Sequence, residues 1–288
     1  AFASRVRLES LTYTSGTAMK YAICNETFEG WDHARVCGRV AELGYTGLEV
    51  APFTLAPLIT DVSAAKRAEL RKQAEAAGVQ IIGLHWLLAK TDGFHLTSAD
   101  PAVRKKTGLY LGELARAAAD LGGTILVLGS PMQRKIPPGA TLAQAEDYAA
   151  DTLSHCLPAL EAGKVTMCLE PLTPAETEFW TTAADAVRTI ERLRHPFVRL
   201  HLDVKAMSAE AAATPDVIRA NAAHTAHFHA NDPNLRGPGF GDVDFKPIFR
   251  SLKETGYDGW VSVEVFDYRP DPDTIARESI RYMRACEA

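Results

Sequence analysis

The chain has 288 residues, of which 47% are hydrophobic and 23% charged, with a formal net charge of -5 and an isoelectric point near 6.0. This length suits one large domain such as an α/β barrel, and no apolar run is long enough to cross a membrane. The acidic balance gives no general attraction to polyphosphate, which argues against nucleic acid as a partner.

Residues 1–18 contain arginine and serine but no continuous apolar segment, so they are not expected to be a secretory signal. We interpret them as a flexible N-terminal extension that precedes a catalytic domain of residues 19–288. Five cysteines, an odd number without CxxC spacing, indicate free thiols and a cytoplasmic protein rather than a disulfide framework.

From Met19 onward, short β-rich runs alternate with alanine-rich helical segments, which predicts βα units and a parallel sheet. Several predicted helices are followed by glycine and then by a strand, as in LGYTGLEV and AGVQIIGLH, and glycine suits the left-handed end of a helix. Helical periodicity covers Ser63 to Ala77 and Asp100 to Leu121. The eight predicted strands are Tyr21 to Asn25, Gly47 to Val50, Gln80 to His85, Thr124 to Gly129, Thr166 to Glu170, Arg199 to Asp203, Ala226 to Ala230 and Trp260 to Val265.

Eight strands with intervening helices predict an α/β fold, a single (β/α)8 TIM barrel with its catalytic groups at the carboxyl ends of the strands. The competing layout is a doubly wound open sheet. The sequence has no GxGxxG after the first strand and no GxxxxGK[ST], so the nucleotide site typical of that layout has no support. The long loop SPMQRKIPPGATLAQ after the fourth strand is expected to shape the substrate pocket.

Polar side chains stand at the ends of most predicted strands. Those of the last four strands would converge above the barrel axis, where three carboxylates and one imidazole form a hard, mostly oxygen site for a divalent ion. Each residue alone could instead cap a helix or pair with lysine or arginine, but recurrence on four successive strands favours a metal site. The strand-end residues are Glu49, His85, Ser130, Glu170, Asp203, His229 and Glu264.

Four motifs carry a resemblance to a known family: LEPL at 169–172, HLD at 201–203, HxND at 229–232 and GYDGWVSVE at 256–264. They resemble the xylose isomerase-like TIM barrels known as sugar phosphate isomerases and epimerases, which include the D-tagatose and D-allulose 3-epimerases. The resemblance covers nearly the whole chain from Met19.

The resemblance implies a residue-by-residue assignment of the site. It implies that Glu170, Asp203, His229 and Glu264 hold a divalent metal, with Mn²⁺ favoured and Mg²⁺, Co²⁺ or Zn²⁺ as alternatives. Glu170 and Glu264 would also be the acid/base pair, and Glu176 would contact substrate. The implied activity is isomerisation or epimerisation of a ketose or related keto sugar through an enediolate.

The chain departs from the epimerase pattern at two positions. Ala206 stands where the epimerases place a substrate-binding histidine, and the substrate arginine appears as Arg236, one residue later than in the epimerases. The zinc AP endonucleases share the fold and hold three metals with further histidines. With Ala206 and Ser130 at two of those positions and an acidic chain, phosphodiester cleavage is disfavoured.

Further polar residues are candidates for substrate binding. His85 could hydrogen-bond a sugar hydroxyl while Trp86 stacks on the sugar ring, or both side chains could simply cover the end of the barrel. Glu49 is expected to line the pocket. Arg134 could hold an anionic or hydroxylated group, or it could be a solvated charge beside Lys135.

Three residues close to the predicted ligands are given structural roles. His201 and His227 are expected to point to the opposite face of their strands and to pack in the core. Lys205 is expected near the metal, behind the residues that bind it.

The favoured reading is a metal-dependent sugar isomerase or epimerase, and two alternatives stay open. A lyase or hydratase would use the same enolisation on a 3-keto sugar or 3-keto glycoside, for which Ala206 leaves room. A metal-stabilised assembly subunit without activity is disfavoured by the full ligand set together with Glu176. The expected partner is a small sugar, and the chain could form a homo-oligomer.

Overall fold

The computed structural model describes residues 19–287, in which eight parallel strands close into a barrel in chain order. The first strand pairs with the eighth as well as with the second, so the sheet has no free edge. The strands are β1 (Lys20–Cys24), β2 (Gly47–Val50), β3 (Gln80–Leu84), β4 (Ile125–Leu128), β5 (Thr166–Leu169), β6 (Val198–Asp203), β7 (Thr225–Ala230) and β8 (Trp260–Val263). The predicted TIM barrel is confirmed, while the predicted N-terminal extension lies outside the described residues.

Helices connect the strands and surround the barrel. They are α1 (His33–Leu43), α2 (Ala64–Ala76), α3 (Pro101–Leu121), α4 (Leu142–Ser154), α5 (Leu157–Gly163), α6 (Ala183–Leu193), α7 (Val204–Met207), α8 (Thr214–Asn221), α9 (Phe245–Glu254) and α10 (Pro272–Glu287). Their ends follow local chemistry: Asp100 accepts a hydrogen bond from the backbone at the start of α3, and Gly122 ends that helix with a φ of 88°. The two helices predicted in detail, α2 and α3, are both present.

The main hydrophobic core lies between the sheet and the helices, where alternate strand residues such as Leu126, Leu200 and Leu202 are buried. The other strand residues face the barrel interior, and there polar side chains replace apolar ones toward the carboxyl ends of the strands. Because all strands run parallel, these polar side chains meet at one rim. Among the described residues, no helix is long and apolar enough to cross a membrane, and the five cysteines are free and buried.

Candidate active site

Four buried side chains at the carboxyl ends of β5, β6 and β7 form a compact ligand cluster. Asp203 ends β6 and Glu170 directly follows β5, while His201 and His229 lie on β6 and β7. Each offers one ligand atom, and these atoms all lie within 4.8 Å of one another. The structure thus brings together three of the four predicted ligands and adds His201.

The fourth predicted ligand, Glu264, joins this ligand cluster through His229. Its carboxylate lies 3.1 Å from Nδ1 of His229, and its other oxygen accepts a 2.9 Å hydrogen bond from Nε1 of Trp86. Trp86 holds this position with a φ of 54°, a left-handed conformation that is rare for a bulky residue. Such strain persists where surrounding contacts over-determine it, and it is common at functional sites.

The electrostatics of the ligand cluster favour a bound cation. Burial is the main reason why the pKa of Glu170 is well above its ordinary value, and the negative charges of Glu264 and Asp203 raise it further. Burial likewise raises the pKa of Asp203. Burial would also raise the pKa of Glu264, but the charge of His229 and its hydrogen bond outweigh burial and lower that pKa. A cation between these carboxylates would offset their mutual repulsion.

The donor set fits a divalent metal ion. Two imidazoles and the carboxylates of Glu170, Asp203 and Glu264 are ligand types that suit Mn²⁺, Co²⁺ or Zn²⁺. Both ring nitrogens of His201 are buried without a hydrogen-bond partner among the described residues, so its unprotonated nitrogen is free to bind a metal ion. Both nitrogens of His229 face carboxylates, of Glu264 and Glu49, and His229 would release a proton when it binds a metal.

Asn231 orients the cluster from the loop after β7. Its amide nitrogen donates to Oδ2 of Asp203, and its oxygen accepts a 2.8 Å hydrogen bond from the backbone N–H of Lys205. The other oxygen of Asp203 accepts from the N–H of Ala206 at 2.8 Å. The carboxylate is therefore fixed before any ligand arrives, which is what precise metal or substrate positioning requires.

Gly129, directly after β4, makes room for the Glu170 carboxylate. A Cβ atom at this position would overlap both the carboxyl carbon and an oxygen of Glu170. Only glycine lets the backbone approach the Glu170 carboxylate so closely, and no local sequence pattern predicts this contact.

A cavity of about 90 Å³, here called the inner cavity, opens beside the ligand cluster. The two predicted acid/base residues, Glu170 and Glu264, both lie in its wall. Opposite charges also meet there, because Nζ of Lys205 donates a 2.7 Å hydrogen bond to Glu176. The lining residues are His85, Trp86, Gly129, Ser130, Pro131, Glu170, Leu172, Glu176, Lys205, Glu264 and Phe266.

Three residues predicted for substrate binding line this cavity: His85, Trp86 and Glu176. Lys205, expected behind the metal-binding residues, is in the wall itself. Its charge is favoured because, although burial lowers its pKa, the carboxylates of Asp203 and Glu176 outweigh burial and raise it.

A layer of buried polar residues lies beneath the inner cavity. Its residues differ from two predictions, the position of Glu49 and the orientation of His201 and His227. Glu49 is fully buried and accepts hydrogen bonds from His227 at 2.9 Å and His229 at 3.1 Å, so it lies below the cavity rather than in its wall. His201 and His227 were assigned to the opposite face of their strands, which is wrong. They are two residues from Asp203 and His229, and a spacing of two keeps side chains on the same face of a strand.

Arg134 and Arg236 are placed apart from the inner cavity. The Arg134 side chain is buried, donates to the carbonyl oxygen of Glu170 at 2.5 Å and lies 5.5 Å from the Trp180 ring centroid, so it is not a solvated surface charge. Burial lowers its pKa to about 10. Arg236 donates to the carbonyl oxygen of Arg269 at 3.1 Å. Substrate binding by either arginine stays a prediction.

Sequence reasoning missed Glu26, which lies in the single turn Asn25–Phe28 after β1. Glu26 is buried, and its carboxylate lies 2.8 Å from Nε2 of His85. The only sequence signal was an acidic residue just past a strand end. A single sequence does not distinguish a buried glutamate such as Glu26 from an exposed one at the same position.

A closed parallel barrel with its ligand cluster and polar cavity at the carboxyl ends of the strands defines the active end of a TIM-barrel enzyme. The chain belongs to the xylose isomerase-like TIM barrel family, whose sequence profile matches residues 37–286. The resemblance drawn from the motifs is confirmed.

Curated relatives of the chain include several sugar epimerases. The D-psicose 3-epimerase of Ruminiclostridium cellulolyticum is 26% identical over 250 residues, which cover 85% of this chain and 82% of that protein. The 3-dehydro-D-guloside 4-epimerase of Escherichia coli is 28% identical over 192 residues, covering 64% of this chain and 72% of that protein. The chain is accordingly an enzyme, as predicted.

Solved structures show the same fold. A crystal structure of D-psicose 3-epimerase in the presence of D-fructose matches with a TM-score of 0.82 and 22% identity, covering 93% of this chain and 99% of that one. The apo structure of 3-keto-D-glucoside 4-epimerase from E. coli matches with a TM-score of 0.81 and 21% identity, covering 93% and 100%.

Proposed function

We propose that the protein is a divalent-metal-dependent sugar epimerase or isomerase that acts on a ketose or related keto sugar through an enediolate. The observation that carries this proposal is the placement of Glu170 and Glu264, which directly follow β5 and β8, in the wall of one cavity beside the ligand cluster. Two carboxylates on one cavity supply the acid and the base that moving a proton on a sugar carbon requires.

Relatives support this class of reaction. A ketose 3-epimerase of Arthrobacter globiformis is 28% identical over 223 residues, which cover 76% of this chain and 74% of that protein. That enzyme and the D-psicose 3-epimerase are named for inverting carbon 3 of a ketose. We extend the same chemistry to this chain, with Mn²⁺ as the favoured ion.

The metal would be held by Glu170, Asp203, His229 and Glu264, with His201 beside them, and it would supply the positive charge that stabilises an enediolate. The chain's own residues do the rest. One of Glu170 and Glu264 removes the proton next to the carbonyl, and the other returns a proton from its own side of the sugar. Positioned acid/base groups of this kind contribute about 10²- to 10⁴-fold in rate.

Glu176 and Lys205 are placed to hold the sugar's hydroxyl groups. Their ion pair lies in the cavity wall with both partners still able to accept or donate further hydrogen bonds. Trp86 and Phe266 line the same cavity, and their apolar surface excludes water from the reacting carbons.

Hydrogen exchange into solvent tests the proposal directly. The protein is stripped with a chelator, reloaded with Mn²⁺, and incubated in D₂O with a panel of ketoses, 3-keto sugars and sugar phosphates. We expect deuterium at the carbon next to the carbonyl, together with an epimer or isomer, only in the metal-loaded sample. Exchange that is independent of metal, or none with any sugar, would refute the proposal.

A further inference from the structure

A second cavity lies on the same rim of the barrel and is much larger than the first. This outer cavity has a volume of about 720 Å³ and is lined by residues that follow β1, β2, β3 and β8. The inner cavity, at about 90 Å³, falls well short of the roughly 300–1,000 Å³ of pockets that bury a whole small-molecule ligand. The outer cavity falls within that range.

Three loops connect the two cavities. Trp86, after β3, lines both of them. Glu26 lines the outer cavity, and its carboxylate lies 2.8 Å from the ring of His85, which lines the inner one. After β8, Phe266 lines the inner cavity and Tyr268 the outer one. A substrate whose reacting part lies at the ligand cluster would therefore extend past Trp86 into the outer cavity.

Partly exposed aromatic rings and charged groups of both signs line the outer cavity. Trp31 and Phe53 are partly exposed, and Tyr268 is 37% exposed. Phe53 meets Trp86 edge to face with ring centroids 6.2 Å apart, and Nζ of Lys90 lies 4.0 Å from the Phe53 centroid.

These features match the surface of a sugar ring. The apolar C–H face of a sugar packs on aromatic rings, and its hydroxyl groups donate to carboxylates and accept from lysine. The carboxylates in the outer cavity include Glu29 and Asp32, and Lys90 supplies a cation. With Glu26 as a third carboxylate, the outer cavity carries more negative than positive charge, which disfavours an anionic ligand. A neutral hydroxylated ligand can use the carboxylates and the lysine alike.

We propose that the outer cavity binds the second ring of a glycosylated keto sugar, while the ring that carries the keto group reacts in the inner cavity. This inference rests on the proposed function and narrows its substrate class from free ketoses to keto sugars that carry a glycosyl group. The second ring takes no part in the chemistry, and its binding energy favours the longer substrate.

Steady-state kinetics with the Mn²⁺-loaded protein test the inference. The substrates are fructose and fructose carrying a glucosyl group at O4 or at O6. We expect kcat/KM for at least one glucosylated ketose to exceed that for fructose by about tenfold, the value of one or two good aromatic contacts. Equal or lower kcat/KM for both glucosylated ketoses would overturn the inference.

A variant and a matched control locate the effect. Tyr268→Ala should lower the ratio of kcat/KM for the glucosylated ketose to that for fructose by about threefold or more. Leu109→Ala removes a side chain that is 53% exposed on α3 and should leave the ratio unchanged. A ratio unaffected by Tyr268→Ala would contradict the assignment of the outer cavity.

Two further arms separate other outcomes. An aminoketose with a cationic side chain tests the acidic residues; if kcat/KM for it exceeds that for both glucosylated ketoses, a cationic substituent is the occupant and the inference fails. If neither these ketoses nor any 3-keto sugar or sugar phosphate of the exchange panel is turned over, the proposed function fails, and calorimetric binding of the disaccharides then decides the inference. Tighter binding by the parent than by Tyr268→Ala supports the outer cavity, and equal binding overturns it.

Discussion

Glu170 and Glu264 lie in the wall of one cavity, yet their carboxylates have different partners. Glu264 is hydrogen-bonded to His229 and Trp86. Glu170 lies close to other carboxylates, and its burial, together with their charges, raises its pKa. Pairs of carboxyls whose surroundings push their pKa values apart often divide the roles of acid and base. The two residues are therefore expected to be unequal in catalysis.

Replacing either glutamate with glutamine tests that division. Glu170→Gln and Glu264→Gln each preserve size and one ligand oxygen but remove the proton acceptor, so turnover should fall by about 10²-fold or more. Only the variant that keeps the forward base should still exchange substrate hydrogen with D₂O, and mass spectrometry of recovered sugar measures this. Glu191→Gln, an exposed change on α6, is the control. Equal exchange by both variants would contradict the two-carboxylate mechanism.

Lys205 and Glu176 should act as a unit on substrate binding. Lys205→Met keeps the aliphatic stem beside Phe266 but leaves Glu176 without its 2.7 Å partner. We expect KM for the sugar to rise about tenfold in Lys205→Met and in Glu176→Gln. In the double variant, KM should rise by less than the product of the two single effects. Metal content, measured by elemental analysis, should stay constant. Fully additive losses would show that the pair is not coupled.

Gly129, directly after β4, leaves the space that the carboxylate of Glu170 occupies after β5. In Gly129→Ala the added methyl group would overlap the Glu170 carboxylate, which must then move away from the ligand cluster. We expect metal affinity and kcat to fall about tenfold or more, while circular dichroism and the barrel fold are retained. The matched control is Gly38→Ala in the middle of α1, where an added Cβ contacts nothing, and which should stabilise the protein by about 0.5–1 kcal/mol. Unchanged metal binding in Gly129→Ala would mean that the neighbouring backbone gives way instead.

The secondary elements were predictable because their signals are local. The bounds predicted for β2, Gly47 to Val50, match the structure, and left-handed glycines such as Gly44 and Gly122 end helices before strands. The burial of Arg134 was not predictable in this way. The loop that carries it folds against Glu170 and Trp180, and such contacts depend on the tertiary structure rather than on local sequence.

Convergence of the strand ends could be predicted for the ligands but not for the layer beneath them. Parallel strands in a barrel bring Glu170, Asp203 and His229 to one rim by topology alone. The contacts of Glu49 with His227 and His229 depend on barrel radius and strand register, including a shift between Leu200 and His201. A single sequence contains no direct record of that register.

The concentration of buried carboxylates has a consequence for the stability of the whole molecule. In the metal-free protein, burial and neighbouring charges raise the pKa of Glu170 and Asp203 above the ordinary values of 4.5 and 3.8. The folded state then binds protons more tightly than the unfolded state, so stability falls as pH rises from those ordinary values through the folded ones. His229, with a pKa raised by Glu49 and Glu264 against the effect of burial, acts in the same direction above 6.5. Glu49 and Glu264 have lowered pKa values, so their contribution is lost only as pH falls below 4.5.

We therefore expect the melting temperature of the metal-free protein to fall from about pH 6.5 to about pH 8, and saturating Mn²⁺ to remove most of that fall. An ion present at about 100 times its Kd stabilises the folded state by about 2.7 kcal/mol, which raises the melting temperature of a protein of this size by about 4–5 °C. The Mn²⁺ effect should grow with pH, because the ion competes with protons for the same carboxylates and imidazoles. Calorimetry at several pH values measures how the melting temperature depends on pH with and without Mn²⁺. Glu170→Gln should weaken the pH dependence of the metal-free protein, because it removes one carboxyl group whose pKa is raised. A Mn²⁺ shift that is absent, or that is equal at every pH, would place the metal away from Glu170 and Asp203.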